Sequence, residues 1–506
     1  MPSPYNGYVA EIDYSHAFYP EIAPTSLAFA LLLKGVQPPR VSGDFAYCEL
    51  GCGQGLSSNL LAGMHPRARF WGVDFLPSHI AGARHLAEEA GHVNAVFLDD
   101  SFEDFAQRPG PDFDIIALHG VWSWVSAENR AILVDILRRR LKPGGMVYVS
   151  YNCLPGWAAD MPVRQLLLDQ VSASVGPLPE RIEEALRFGQ RLSRLGGYFD
   201  HVAGAGPHLD SLLAKSDSYI AHEYLNRDWA PFYHAEVARD LEAAKLNFAA
   251  SATLLDHLED WRLAPDALAL LAETSDPTRR ETLRDYLTYT RFRRDIFIRG
   301  PRRLAPSERE ARLRDFRFGL CVPRDEVPES VSTPKGEIAL PAALYAPLAD
   351  ALAAGPQGLS ALLKLPALAE QGFEAVLTAL TALVGLGVAV PVPPEEEGRA
   401  EGCARFNHAV LRQNRHAPDL RQLASPVLGT GLQVDLLDRL FLLARQEGRE
   451  PAAFAWTILS ERGKRLRRNG EWLETAEENL AELGRLHDVF TRSRLPLLRA
   501  WGIVEG

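Results

Sequence analysis

At 506 residues the chain is too long for one hydrophobic core, and two to four domains are expected. Its 47% hydrophobic and 24% charged residues are those of an ordinary globular protein and exclude a long disordered tail. A formal net charge of −11 argues against general affinity for nucleic acid or an anionic membrane.

The N-terminus, "MPSPYNGYVAEIDYSHAFYP", has no basic n-region, apolar h-region or cleavage site. No run of about 20 apolar residues follows, so a cytoplasmic location without membrane insertion is expected. Residues 1–40 read as an N-terminal arm. Cys48, Cys52, Cys153, Cys321 and Cys403 form no C-x-x-C pair and meet no clustered histidines, so they read as reduced thiols with no metal site.

From about Phe45 short apolar runs alternate with helical ones: "FAYCEL", "GLSSNLLAGM", "RFWGVDF", "PSHIAGARHLAEEA", "NAVFL", "FDIIAL", "ENRAILVDILRRRL" and "GMVYVS". Continuous apolar strands separated by helices predict an α/β, doubly wound, Rossmann-like sheet over residues 41–300. Its first turn is "ELGCGQG", where Gly51, Gly53 and Gly55 let the backbone turn tightly and a ligand approach the amides of the following helix. Alone, such a turn is equally a structural turn or a nicotinamide site.

Three neighbours sharpen it. Glu49 beside the turn is unsuited to a pyrophosphate and suited to a cofactor with an ammonium group. Asp74, about 20 residues on, ends the second strand, where a carboxylate takes both ribose hydroxyls. Asp100 follows the third strand, where it can accept from an adenine amino group with Ser101 or Phe102 beside the ring. Taken singly, each Asp is as readily a helix cap or a solvated charge. Together they describe S-adenosylmethionine (SAM) better than NAD.

"ELGCGQG", "GVD", "ALHGVWSWV", "LKPGGMVYVSYNCLPGW", "YIAHEYLN" and "RFRRDIFIRG" resemble the class I methyltransferases that carry a methyltransferase regulatory domain. That group includes bacterial lysine methyltransferases acting on outer-membrane proteins. The resemblance implies a seven-stranded sheet, SAM as cofactor and methyl transfer. It places Glu49, Gly51, Gly53 and Gly55 at the methionine moiety, Asp74 at the ribose, Asp100 at the adenine and His119 beside the cofactor. The family's Tyr-x-x-x-Pro stretch is matched only loosely by "YVAEIDYSHAFYPEIAP", so Tyr8, Tyr14 and Tyr19 are given no role.

Ligands of open α/β sheets bind outside the carboxyl ends of the strands. "ALHGVWSWV" and "YNCLPGW" leave strands four and five at that edge, so His119, Trp122, Trp124, Tyr151, Asn152 and Trp157 are expected to converge on an acceptor pocket. One of Trp122 and Trp124 is expected to pack the core instead. Tyr151 and Asn152 are candidates to orient the acceptor, and His119 to receive a proton. His222 and Glu223 are candidates to line the pocket, or equally structural polar residues. Strands six and seven are placed near 246–252 and 291–299. A helical insertion is placed at about 158–215, and Arg291, Arg293 and Arg294 are candidates to grip an acidic substrate, with a solvated strand edge the commoner reading.

Residues 301–330 read as a linker with one strand. Residues 331–400 have the three helices and strand of a winged-helix-like domain. Its third helix, from Phe373 to Leu386, has no Lys or Arg, so it is assigned to protein contacts, either substrate docking or self-association, rather than nucleic acid. Residues 401–506 read as a helical C-terminal domain. The leading reading is SAM-dependent methylation of a protein lysine. The alternatives are a small-molecule or carrier-bound acceptor, and a non-catalytic SAM-binding regulator.

Overall fold

The computed structural model describes residues 16–417 and 419–504. Tyr8 and Tyr14 lie outside them. Helix α1 (Pro24–Leu33) opens on Pro24, whose fixed φ suits a first helical position. It is apolar all round and correspondingly buried, with Leu27, Phe29 and Leu31 fully inaccessible. The stretch read as an arm is therefore, over these residues, part of the core.

The expected alternation follows: β1 (Ala46–Leu50), α2 (Leu56–Met64), β2 (Arg69–Asp74), α3 (Pro77–Glu89), β3 (Ala95–Asp99), α4 (Phe102–Gln107) and β4 (Phe113–Leu118). After α5 (Ala127–Arg140), β5 (Leu141–Asn152) runs on through the "SYN" of the loop expected to floor the pocket. Ser101 and Ser126 cap α4 and α5 by accepting from Asp104 N–H and Asn129 N–H.

Between β5 and the next strand lie α6 (Met161–Ala173), α7 (Leu178–Ser193), α8 (Tyr198–His201), α9 (Ala205–Leu212) and α10 (Asp217–Tyr224), then α11 (His234–Glu242). The helices from α6 to α10 share their own apolar core, including Val163, Leu167, Ile182, Leu209 and Ile220, with Trp157. The insertion thus extends past 215 to include α10. β6 (Leu246–Ser251) follows. Three further helices, α12 (Glu259–Arg262), α13 (Pro265–Glu273) and α14 (Pro277–Thr288), then precede β7 (Phe292–Arg299).

The strand order is β3-β2-β1-β4-β5-β7-β6, with β7 antiparallel to both neighbours. β7 is therefore an inner strand, and the arginines read as a solvated edge are not one: Arg293 is 3% exposed. Because β7 runs backwards, its start lies at the carboxyl edge of the parallel strands; Cys153 N–H, just beyond β5, donates to Arg291 C=O at 2.8 Å. Alternation along β5 sends Tyr148 into the core on one face of the sheet, and Val147, Val149 and Tyr151 into the core on the other.

The stretch read as a linker folds into α15 (Pro306–Arg314) and β8 (Arg317–Leu320). A hairpin, β9 (Ser330–Thr333) and β10 (Gly336–Ala339), leads to α16 (Ala342–Ala353). After β11 (Gln357–Gly358) come α17 (Leu359–Leu362), α18 (Pro366–Ala369), α19 (Phe373–Gly385) and β12 (Ala389–Val392). β8 is the centre of the sheet β11-β8-β12, so this unit begins well before 331. α19 buries Val376, Leu377, Leu380 and Leu383. Helix α20 (Arg399–Gln413) then crosses α2 at a glycine pair, where a Cβ on Gly402 would stand 2.3 Å from the Gly63 carbonyl oxygen. No helix among the described residues is long and apolar enough to cross a membrane.

Candidate active site

The turn after β1 holds Gly51, Gly53 and Gly55 at φ of +74°, +53° and +67°, a region side chains rarely adopt. Gly51 is also close-packed, since a Cβ there would come within 2.5 Å of Val121. A Cβ on Gly53 meets no atom of the described residues within 4 Å, because Gly53 faces the open space of a cavity of about 710 Å³. Gly53 N–H donates to Asp74 Oδ2 at 2.9 Å, and Leu76 N–H to Oδ1 at 3.0 Å. These bonds hold the carboxylate at the cavity wall, with His79 Nδ1 3.3 Å from Oδ1.

Glu49 is 4% exposed and lines the same cavity. Burial pushes its carboxyl up to about 7; a 2.6 Å hydrogen bond from Ser58 Oγ opposes the rise, and the Asp74 charge adds to it. Among the described residues no Lys or Arg is ion-paired with it. A buried carboxyl in that state is suited to an ammonium brought by a ligand. These residues fit SAM, with Glu49 available to its ammonium, Asp74 to its ribose hydroxyls and the bare Gly53 backbone to its methionine chain.

Asp99, Asp100, Ser101 and Phe102 line the other end. Both oxygens of Asp100 already accept from Arg108, at 2.6 and 2.7 Å, so adenine recognition there would use the lone pairs that remain. Ser101 Oγ is occupied as the α4 cap and lies 2.7 Å from Asp104.

The rest of the cavity wall is built from the strand ends and α10. Asn152, 3% exposed, lines the cavity, and its Nδ2 has no hydrogen-bond partner among the described residues. Its backbone is fixed by Ser123 Oγ and Phe232 N–H. Trp124, Trp157, Tyr219 and Phe292 give the cavity aromatic walls, whereas Trp122 is fully buried in the core. Trp157 stands edge-on to Trp229 at 4.8 Å and carries the Arg291 guanidinium 4.7 Å over its ring. Ser216 caps α10, and Trp124 Nε1 ties it down by donating to the His222 carbonyl at 3.1 Å. His222 and Glu223 consequently both line the cavity. Glu223 has no hydrogen bond or ion pair among the described residues, and burial lifts its carboxyl to about 7.

Two expectations change. Tyr151 does not reach the cavity: it points to the opposite face from Tyr148, where its hydroxyl donates to Asp295 at 2.6 Å and lies 3.2 Å from His234. Arg293 completes that buried cluster, donating to Asp295, Asp285 and Glu281 at 2.8, 2.7 and 2.8 Å. His119 lines the cavity but is a poor proton acceptor, because burial and the Arg294 charge push it down to about 3. Its Nδ1 is 2.9 Å from Tyr148 Oη, and its ring stacks on Tyr19 at 3.6 Å.

The sequence reading did not give the cavity His16, Tyr219 or Phe292, and offered Arg291 only as one of three arginines that could grip an acidic substrate. The antiparallel course of β7, which brings Arg291 and Phe292 to the catalytic edge, is a signal that could have found both.

A family model described as "Methyltransferase domain" matches residues 48–147, and one described as "Predicted methyltransferase regulatory domain" matches 216–299. An uncharacterized protein of Synechocystis sp. is 42% identical over 500 residues, 98% of this chain and 99% of its own. A trans-aconitate 2-methyltransferase of Variovorax paradoxus is 30% identical over 162 residues, 32% of this chain and 57% of its own. The structure of PKMT2 from Rickettsia typhi in complex with AdoHcy has the same fold, with a TM-score of 0.70 at 18% identity over 97% of this chain and 100% of that one. A methyltransferase domain, a regulatory domain and a cradle suited to SAM thus coincide in one sheet, and the chain belongs to the SAM-dependent class I methyltransferases that carry a methyltransferase regulatory domain.

Proposed function

We propose that this methyltransferase acts on a protein lysine amine, with Glu223 receiving the proton the amine must lose. The observation that carries the reading is the Glu223 carboxyl, which lines an aromatic-walled cavity without a partner among the described residues and is pushed up to about 7 by burial. A lysine enters as an ammonium and attacks only as a neutral amine. Burial beside Trp124, Trp157, Tyr219 and Phe292 lowers its pKa, and a carboxylate titrating near the working pH takes the proton with little penalty. Asn152 Nδ2, buried and unpaired among the described residues, is available to orient the acceptor.

When bound, SAM would supply a methyl group activated on a sulfonium, transferred in line to the acceptor with the neutral thioether, AdoHcy, as leaving group. The protein's part is positioning, exclusion of water by the α6–α10 insertion, and stabilisation of positive charge by aromatic faces. The likeness to PKMT2 and the motif resemblance to lysine methyltransferases favour the same acceptor. The winged-helix-like region and the helical C-terminal region are read as surfaces for a protein acceptor or for a second copy of the chain.

A second reading takes a small carboxylic acid as acceptor. It is favoured by Arg291 in the cavity wall and by the relatives named trans-aconitate 2-methyltransferase. Incubation with methyl-labelled SAM, lysine-bearing peptides and di- and tricarboxylic acids separates the two. Label on a lysine nitrogen, located by mass spectrometry, supports the first. Label recovered only as a carboxylic ester overturns it.

A further inference from the structure

Residues His16 to Ile22 form a partition between two cavities. His16, Ala17 and Tyr19 line the catalytic one, while Phe18, Pro20 and Glu21 line a second of about 660 Å³. From His16 to Tyr19 the partition has no regular secondary structure of its own, so side chains must hold it in place. Tyr19 stacks on His119, Ser57 Oγ donates to the Ala17 carbonyl at 3.3 Å, and Arg294 pairs with Glu21 at 2.7 Å. All of these anchors belong to the methyltransferase sheet and its helices.

A further anchor comes from 403 residues away. Asp419 Oδ2 lies 2.5 Å from His16 Nδ1 and accepts from the His16 backbone N–H at 3.5 Å. The bond to the imidazole is close enough to pull the Asp419 carboxyl down to about 2. The region that carries Asp419 is itself fastened to α2 and α3. Arg399 donates to the Met64 carbonyl at 3.0 Å, Arg405 to Ala90 at 3.1 Å, and Gln413 to Glu89 at 2.7 Å.

We propose that Asp419 is a positioning residue for cofactor binding: by gripping His16 it holds the partition against the SAM cavity, so the C-terminal region sets cofactor affinity. This goes beyond the acceptor reading and is independent of it, because the cofactor product can be bound with no acceptor present.

The test is calorimetric binding of AdoHcy to the full chain as wild type, Asp419→Ala, His16→Ala and the double variant, with unfolding temperature of the free proteins measured alongside. The expected result is roughly tenfold weaker binding in each single variant and no further loss in the double, because both remove one contact. Asp419→Asn keeps the hydrogen-bond geometry and should recover part of the affinity. Wild-type affinity in Asp419→Ala, or losses that multiply in the double variant, overturn the proposal. Should Asp419→Ala fail to fold, Asp419→Asn and His16→Ala decide: weakened binding at an unchanged unfolding temperature supports the proposal, and wild-type binding in both overturns it.

Discussion

The Tyr151 hydroxyl donates a 2.6 Å hydrogen bond to Asp295, and neither side chain lines the catalytic cavity although Tyr151 adjoins Asn152, which does. The pair belongs to a buried cluster in which Arg293 faces Glu281, Asp285 and Asp295. Burial and the Asp295 charge raise the Tyr151 hydroxyl well above its usual value, so it stays protonated as a donor. Tyr151→Phe should therefore lower unfolding stability by about 1–3 kcal/mol, the cost of leaving a buried acceptor short of a donor. Its AdoHcy affinity should stay within about twofold of wild type. Chemical denaturation and calorimetry on one preparation check both; lost affinity at unchanged stability would return Tyr151 to the site.

If Glu49 meets the cofactor's ammonium, as proposed, cofactor binding should depend on pH. Burial pushes its carboxyl up to about 7, and an ammonium ligand favours the ionised form. Binding at pH 6 should then release close to one proton per cofactor, and binding at pH 8 almost none. Affinity should weaken as pH falls below 7. Glu49→Gln should abolish the proton release and weaken binding roughly tenfold. Calorimetry in two buffers of different ionisation enthalpy counts the protons directly.

The crossing of α2 and α20 leaves no room for a side chain. A Cβ on Gly402 would stand 2.3 Å from a backbone carbonyl, which cannot swing aside as a side chain can. Gly402→Val should destabilise the protein by about 1–3 kcal/mol or more, and should loosen the C-terminal region from α2. Thermal unfolding, with hydrogen exchange across α2, measures both effects.

The sheet was legible in the sequence because parallel strands, covered on both faces, read as unbroken apolar runs, and the glycine turn announces itself. The rest of the cavity wall was legible only by proximity to a strand end. Proximity misplaced Tyr151, since a period of two sends neighbours to opposite faces and the sequence does not say which face holds the ligand. Arg293 was misread for a related reason: charged residues suggest an exposed edge, and only the strand order puts β7 inside, where three carboxylates compensate it. The linker reading failed because charge and proline signal irregular chain, whereas Phe318 and Leu320 are buried at the centre of a small sheet. Nothing local to "SHAFYP" or to Asp419 indicates that they meet.

The most direct test of the account is the pH dependence of single-turnover methyl transfer to a lysine peptide at saturating SAM, for wild type and Glu223→Gln. A base titrating near 7 is ionised above that pH, so the wild-type rate should fall as pH drops below about 7. Glu223→Gln should be slower by about 10²–10⁴-fold at pH 8, and its remaining acidic limb should move from near 7 up towards the ionisation of the lysine itself. A variant that keeps both the wild-type rate and the same acidic limb would contradict the assignment of Glu223 as the proton acceptor.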